Sequence, residues 1–504
     1  METVINNFLL IGSIILLVSV LLSKSSSRFG LPILIIFMLI GMISGSEGLG
    51  GIHFENYELT HSLSLIALCL IIFSGGIETN IKDIKENLGR GILLSSLGVL
   101  LTTSIVGFFV HKILNISLLE SFLLGATLSA TDAAAVFSAF KDKKSQVIAR
   151  DKNLLKFESG SNDPMAYFLV TVILGFIERD SYQLSEITIS FILNPVIGLF
   201  VGWILAKAFI SLNNIINLEF VGLYPALTLS FLFLNYSIAS EFWGNGFLAV
   251  YVFGLLINSQ KVLHKTFLYS FYDGISWLSQ IGLFVMLGLL VFPSRLINIA
   301  PEGFIIALFL VLVARPIAVF LCLMFSKFDF RDKAFISWAG LKGATPIVFA
   351  SLAAVKMGNQ AHIIFDIVFF VVLVSALIQG VTLKFVAKRF GLLYEAIEDP
   401  SFPVDIEVLE KTKNGIKEVT ICRNDFAIDK RVVDLNLPSG CLVLFIKREG
   451  SFVIPDGSTK FLKNDKILVV TKTKDDIDIA KNCFKEQTVR TNLFFNVEGN
   501  NETH

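Results

Sequence analysis

Apolar residues fill this chain in long blocks separated by short polar stretches. The blocks fall near 8–23, 31–47, 60–78, 91–112, 118–140, 160–178, 188–212, 219–239, 244–260, 274–293, 301–325, 332–357 and 361–389. Each is close to the roughly 17–25 residues that a helix needs to cross a bilayer. The pattern therefore predicts a polytopic α-helical membrane unit of about 13 transmembrane helices over residues 1–391. After Gly391 the blocks stop. GCLVLFIKREGSFVIPDG reads as a strand, a turn at Arg448-Glu449-Gly450 and a second strand, and KNDKILVVTKT as a further strand. KDDIDIAKNCFK reads as a short amphipathic helix. Residues 392–487 are thus expected to form a small α+β domain, with 488–504 a loosely ordered tail.

Two of the apolar blocks are interrupted by polar residues. Ala130-Thr131-Asp132 breaks the fifth, and Glu158-Ser159-Gly160-Ser161-Asn162-Asp163-Pro164 opens the sixth. Charge in hydrocarbon is costly, so such acids face a protein interior or a water cavity and mark an ion or proton path. Asp132 and Asp163, with Thr, Ser and Asn around them, offer hard oxygen ligands to a small monovalent cation, and a carboxylate can also carry a proton. The small residues from Gly125 to Asp132 suit two half-helices with an unwound link. The twelfth block has the same character at Gly340-Leu341-Lys342-Gly343-Ala344-Thr345-Pro346. Interrupted segments in corresponding halves of a transporter point to its binding site. Close packing of small residues would account for the glycines, but not for Asp132, Asp163, Glu158 and Lys342. Glu158 and Lys342 are the simplest ion pair to propose, since a buried charge requires a partner. Arg315, in VLVARPIAVF, is a second cation within a block and an alternative partner for Glu158 or Asp163. Asn rather than a third Asp at position 162 limits the titrating groups and fits one proton per cation. Glu78, Thr79, Ser375 and Gln379 are further polar residues inside or at the ends of blocks.

Composition narrows the class. The chain has 504 residues, 54% of them hydrophobic and 17% charged, and a mean hydropathy of +0.71. A formal net charge of zero points away from nucleic acid. The five cysteines show no metal-ligand spacing. No nucleophile elbow, P-loop or metal-spaced His/Glu set suggests an enzyme, and no cofactor is expected. Lys and Arg concentrate in the odd-numbered loops: Lys24 and Arg28; Lys82, Lys85 and Arg90; Lys141, Lys143, Lys144, Arg150 and Lys152; Lys261 and Lys265; Lys327, Arg331 and Lys333. The seventh loop has none of its own, and the even loops hold little beyond Lys112, Arg179, Arg295 and Lys356. That bias places the N-terminus outside the cell membrane and the C-terminal domain in the cytoplasm. A gated cation channel and a membrane-anchored sensor are the competing classes. The first lacks a TVGYG-like filter, and the second needs no interior acids.

The stretches IIFSGGIETN, GATLSATDAAAVFS, FESGSNDPMAYFL, GLKGATPIVFA and SALIQGVTL resemble the cation:proton antiporter-1 family, in its bacterial NhaP-type branch. The resemblance implies thirteen helices in inverted repeats, crossed broken helices, homodimers and alternating access. It implies a cation and a proton sharing Thr131, Asp132, Ser159 and Asp163. Glu158 and Asn162 would be supports, with Glu158 paired to the basic residue of the twelfth segment, here Lys342 where the family usually has Arg. Asn162 resembles the electroneutral members. The segment VVDLNLPSGCLVLFIKREGSFVIPDGSTKFLKNDKILVV is similar to a TrkA-C (RCK C-terminal) domain, which implies a small regulatory ligand such as a cyclic dinucleotide. Together these imply K⁺/H⁺ exchange, with Na⁺/H⁺ exchange as the alternative.

Overall fold

The computed structural model describes residues 2–29, 33–85, 87–138, 140, 146–178, 184–358, 362–394, 415–422, 425–435, 437–448, 451–473 and 476–485. The 488–504 tail, the Glu449-Gly450 part of the expected turn, Arg179, and the loop lysines at 141, 143 and 144 lie outside the described residues. The chain divides into two compact units, Met1–Ala396 and Ile397–His504.

Every apolar block of the first unit is a helix or a broken pair of helices. In order these are α1 (Glu2–Phe29), α2 (Ile33–Ser44), α3 (Tyr57–Ile77), α4 (Leu88–Leu114), α5 (Leu118–Thr127), α6 (Ala133–Ser138) and α7 (Ala149–Glu178). They continue with α8 (Leu184–Ile215), α9 (Leu223–Glu241), α10 (Gly246–Ser259), α11 (Lys265–Leu289), α12 (Pro293–Cys322), α13 (Phe330–Trp338), α14 (Thr345–Met357) and α15 (His362–Arg389). Among the described residues seven are long and apolar enough to cross a membrane on their own. The others are shorter or more polar than a lone span and pack beside them. Hydrocarbon offers no partner to a free N–H or C=O, so helices are the form such blocks must take.

The fifth and twelfth blocks are the broken ones, giving α5/α6 and α13/α14. At the first break, the Thr127 and Ser129 hydroxyls donate to the carbonyls of Leu124 (2.7 Å) and Ala126 (2.6 Å). These carbonyls already accept the Leu128 and Ser129 N–H groups, so the hydroxyls are second donors, side-chain bonds of the kind that compete with continuation of a helix. At the second break, Pro346 in the first turn of α14 begins a new helix without needing a donor. The two unwound links meet: the Asp132 N–H donates to the Leu341 carbonyl at 2.8 Å. Gly343 permits this crossing, because a Cβ there would run into the Asp132 carboxylate.

α7 is one continuous helix through Pro164. Proline has no N–H for the carbonyl four residues back. The Asn245 amide nitrogen in turn donates to the Pro164 carbonyl at 2.7 Å. The start of α7 is anchored twice. Gln146–Val147 (β1) pairs antiparallel with Leu393–Tyr394 (β2), just beyond α15. Arg150 contacts Asp332 in α13 and lies over the Phe328 ring, 4.4 Å from its centroid.

The second unit is a four-stranded antiparallel sheet with one helix. The strands are β3 (Gly415–Thr420), β4 (Leu442–Arg448), β5 (Ser451–Val453) and β6 (Lys466–Thr471), in the order β3-β6-β4-β5. α16 (Asp476–Lys485) covers one face with Ala480, Cys483 and Phe484. Ile421, Ile446, Phe461, Ile467 and Phe484 form its core. The sequence reading anticipated β4, β5, β6 and α16. It missed β3, whose short polar-apolar mixture, GIKEVT, becomes a strand by pairing along the whole length of β6.

Candidate functional site

The crossing of the two links brings the interior acids together with their hydroxyl neighbours. Asp132 precedes α6 and accepts the Ala135 N–H on Oδ1 at 3.0 Å, closing the first turn of that helix. Ser159, on α7, receives the Ala133 N–H at 3.0 Å and donates to the Thr131 carbonyl at 3.0 Å. The Asn162 amide nitrogen donates to the Thr131 hydroxyl at 2.6 Å. Asp163, one residue on, is 8% exposed, and its Oδ2 accepts from Thr345 on α14 at 3.1 Å. Thr131, Asp132, Ser159 and Asp163 thus occupy one small region held by three elements. The other Asp163 oxygen has no hydrogen-bond partner.

A cavity of about 360 Å³ reaches this region. Asp132, Ser159, Gly160, Asp163 and Thr345 line its inner end, and Glu78, Lys156 and Asp273 its outer part. Lys156 and Glu78 approach to 3.8 Å, with about half of the Glu78 side chain exposed. The site is therefore a carboxylate pair with neutral hydroxyl and carbonyl oxygens at the end of a cavity lined by both polar and apolar side chains. That donor set suits a monovalent cation or a proton. Among the described residues no cluster of His, Cys, Asp and Glu is arranged to hold a resident metal.

The supporting charges are paired differently from what the family resemblance implied. Glu158 is 1% exposed and pairs with Arg315, whose Nη1 lies 2.6 Å from Oε1. Lys342 does not reach it as an ion-pair partner. Its Nζ donates instead to the carbonyls of Ala130 (3.0 Å) and Ser129 (3.3 Å) in the first link. The expected Glu158–Lys342 pair is thus corrected to Glu158–Arg315, one of the alternatives the sequence left open. The physical reason is position. Gly340 packs flat on Arg315 and leaves no room there for a Cβ, so the guanidinium lies against the link and reaches Glu158. The lysine, two residues on, is turned toward the open carbonyls at the end of α5. A cation there also meets the negative end of a half-helix dipole.

Other polar residues fall into place around the links. The Ser375 hydroxyl accepts the Lys342 N–H at 3.2 Å and donates to Gln379 Oε1 at 2.5 Å. Gln379 Nε2 donates to the Trp338 carbonyl at 2.8 Å, so α15 holds the α13/α14 break at its start and at its middle. Gln379 lies in a π-helical turn, Ala376–Gly380, the kind of local widening that often re-aims side chains. Thr345, Ser276 and Gln280 are cavity residues that sequence reasoning did not single out. Only Thr345 had a signal, since it closes the interrupted GLKGATP stretch.

Comparison with known proteins gives the family and the fold. The transmembrane sodium/hydrogen exchanger family matches residues 13–389, and the TrkA-C domain matches residues 416–481. The chain is 34% identical over 482 residues to the K⁺/H⁺ antiporter NhaP of Alkalimonas amylolytica, covering 94% of this chain and 83% of that protein. It is 35% identical over 489 residues to the K⁺/H⁺ antiporter NhaP2 of Shewanella sp. (strain MR-4), covering 96% and 84%. The fold is that of the sodium proton antiporter MjNhaP1 from Methanocaldococcus jannaschii, with a TM-score of 0.67 and 24% identity over 77% of this chain and 99% of that one.

Proposed function

Because this chain belongs to the sodium/hydrogen exchanger family, we propose that Thr131, Asp132, Ser159 and Asp163 form one site at which a monovalent cation and a proton compete. The protein is a multi-pass membrane cation/proton antiporter, a transporter by family rather than an enzyme. The cation we assign is K⁺, with Na⁺ the alternative. In support, the two relatives described above as K⁺/H⁺ antiporters align with 94% and 96% of this chain.

The observation that carries the reading is the convergence of Asp132 and Asp163 on one cavity. A bare carboxylate is costly to carry through hydrocarbon. Either a cation or a proton lowers that cost, so only occupied carriers reorient between the two sides, and net exchange follows. Asn162 adds no charge and holds the Thr131 hydroxyl in place. The exchange is one cation per proton and electroneutral. Glu158 and Arg315 neutralise each other and fix α7 against α12. Lys342 holds the first link. The mouth residues Glu78, Lys156 and Asp273 adjoin loops three, five and nine, all rich in Lys and Arg. On that bias we assign an inward-facing form, with the N-terminus outside the plasma membrane and the tail in the cytoplasm. The carrier works as a homodimer. The TrkA-C tail senses a small regulatory ligand such as a cyclic dinucleotide.

The test is reconstitution into liposomes carrying a pH dye, with KCl, NaCl or choline chloride added in turn, with and without valinomycin and a protonophore. Dequenching by K⁺ but not choline, indifferent to membrane potential, is the expected result. A response to Na⁺ alone would keep the mechanism and reverse the ion assignment. Potential-driven currents without a pH response would favour a channel.

A further inference from the structure

The acidic part of the cavity is built by α6, α7 and α14. Another wall belongs to α11, which packs on α2 and α3. Asp273, Ser276, Trp277, Gln280 and Phe284 of α11 all line the same cavity, and their three- and four-residue spacing puts them on one helix face. Asp273 is exposed at the mouth. Ser276 and Gln280 lie deeper, 5% and 8% exposed, and Phe284 ends the stripe. Polar side chains at such depth in a membrane helix need a reason.

Their hydrogen bond gives the orientation. Gln280 Nε2 donates to Ser276 Oγ at 3.3 Å. With the nitrogen turned back along the helix, the amide oxygen points the other way. Among the described residues no donor reaches that oxygen, and it is not one of the polar atoms sealed inside protein without a partner. It therefore faces the open cavity that also holds Asp132 and Asp163.

We infer that Gln280, oriented by Ser276, is a specificity-determining ligand: its amide oxygen replaces water around a weakly hydrated monovalent cation as the ion passes between the mouth and the acids. This rests on the antiport reading and deepens it. Carbonyl-type oxygens substitute for the hydration shell of K⁺. A neutral oxygen adds no titrating group, so the proton count of the acid pair is unchanged. Na⁺ holds its water more tightly and gains less from a single neutral ligand.

The experiment titrates K⁺, Rb⁺ and Na⁺ against a fixed pH gradient in liposomes, using the full chain and its Gln280→Leu, Gln280→Asn and Ser276→Ala variants. Gln280→Leu should raise the half-saturating K⁺ and Rb⁺ concentrations about tenfold, the equivalent of losing one ligand of about 1.4 kcal/mol, while Na⁺ moves much less. Gln280→Asn keeps an oxygen and should recover part of the loss. Ser276→Ala releases the amide without removing it and should fall between; it carries the test alone if Gln280→Leu does not fold. Equal shifts for all three cations, or a lower maximal rate with unchanged selectivity, would assign Gln280 to helix packing and overturn the inference. A parent protein that exchanges none of the cations would overturn the antiport reading itself.

Discussion

Glu158 and Asp163 stand five residues apart on α7, and the same helix gives them opposite surroundings. Five residues turn the helix by about 140° beyond one full turn, so the two carboxylates leave from different faces. Glu158 is sealed against Arg315. Asp163 faces the cavity, receives one hydrogen bond from a neutral hydroxyl, and among the described residues has no cation within ion-pair distance. One acid is matched inside the protein, and its charge is a fixed part of the fold. The other is left for a mobile ion to match. A buried carboxylate is structural when a cation is built beside it and functional when the fold withholds one.

The strongest way to break this contrast is Asp163→Asn. Liposome exchange should fall to background, while the melting temperature in detergent stays close to that of the parent. Cation-driven pH change that survives the substitution would end the assignment of Asp163. Arg315→Leu should do the reverse and act on the fold. It leaves Glu158 buried and unpaired, a loss of about 3–5 kcal/mol, read as a large drop in melting temperature or in folded yield. Adding Glu158→Gln should restore part of it. If the single variant melts like the parent, the pair is not structural.

Lys342→Met sharpens the comparison on the basic side. It removes the donor to the Ser129 and Ala130 carbonyls but leaves neutral acceptors behind, where Arg315→Leu leaves an uncompensated buried charge. The expected drop in melting temperature is smaller than for Arg315→Leu. An equal or larger drop would return Lys342 to the role of partner for Glu158. The smallest effect belongs to an exposed pair in the tail. Hydrogen bonds from Arg431 hold the Asp434 carboxyl below its usual range. Its contribution is present above the unfolded carboxylate's pKa and is lost as pH falls through the lowered value. Asp434→Asn should flatten the acid limb of the tail's melting curve slightly and leave its neutral-pH stability nearly unchanged. A large change at neutral pH would count against a solvent-screened pair.

The chain by itself determined the thirteen apolar blocks, the two breaks and the acids within them. Helical spans follow from hydropathy alone, because a membrane leaves the backbone no other partner. The breaks were legible because Ala-Thr-Asp and Gly-Leu-Lys-Gly are poor continuations of a lipid-facing helix. Strands β4 and β6 were legible from short β-branched runs between turns. Tertiary structure alone decided which buried cation serves which oxygen. Arg315 and Lys342 are both mid-block bases in the sequence. Only the packing of Gly340 against Arg315, and the crossing of Gly343 over Asp132, assigns one to Glu158 and the other to bare carbonyls. The same holds for Thr345, Ser276 and Gln280, and for β3. Their roles depend on partners far along the chain, and spacing along one segment carries no information about what another segment places opposite it.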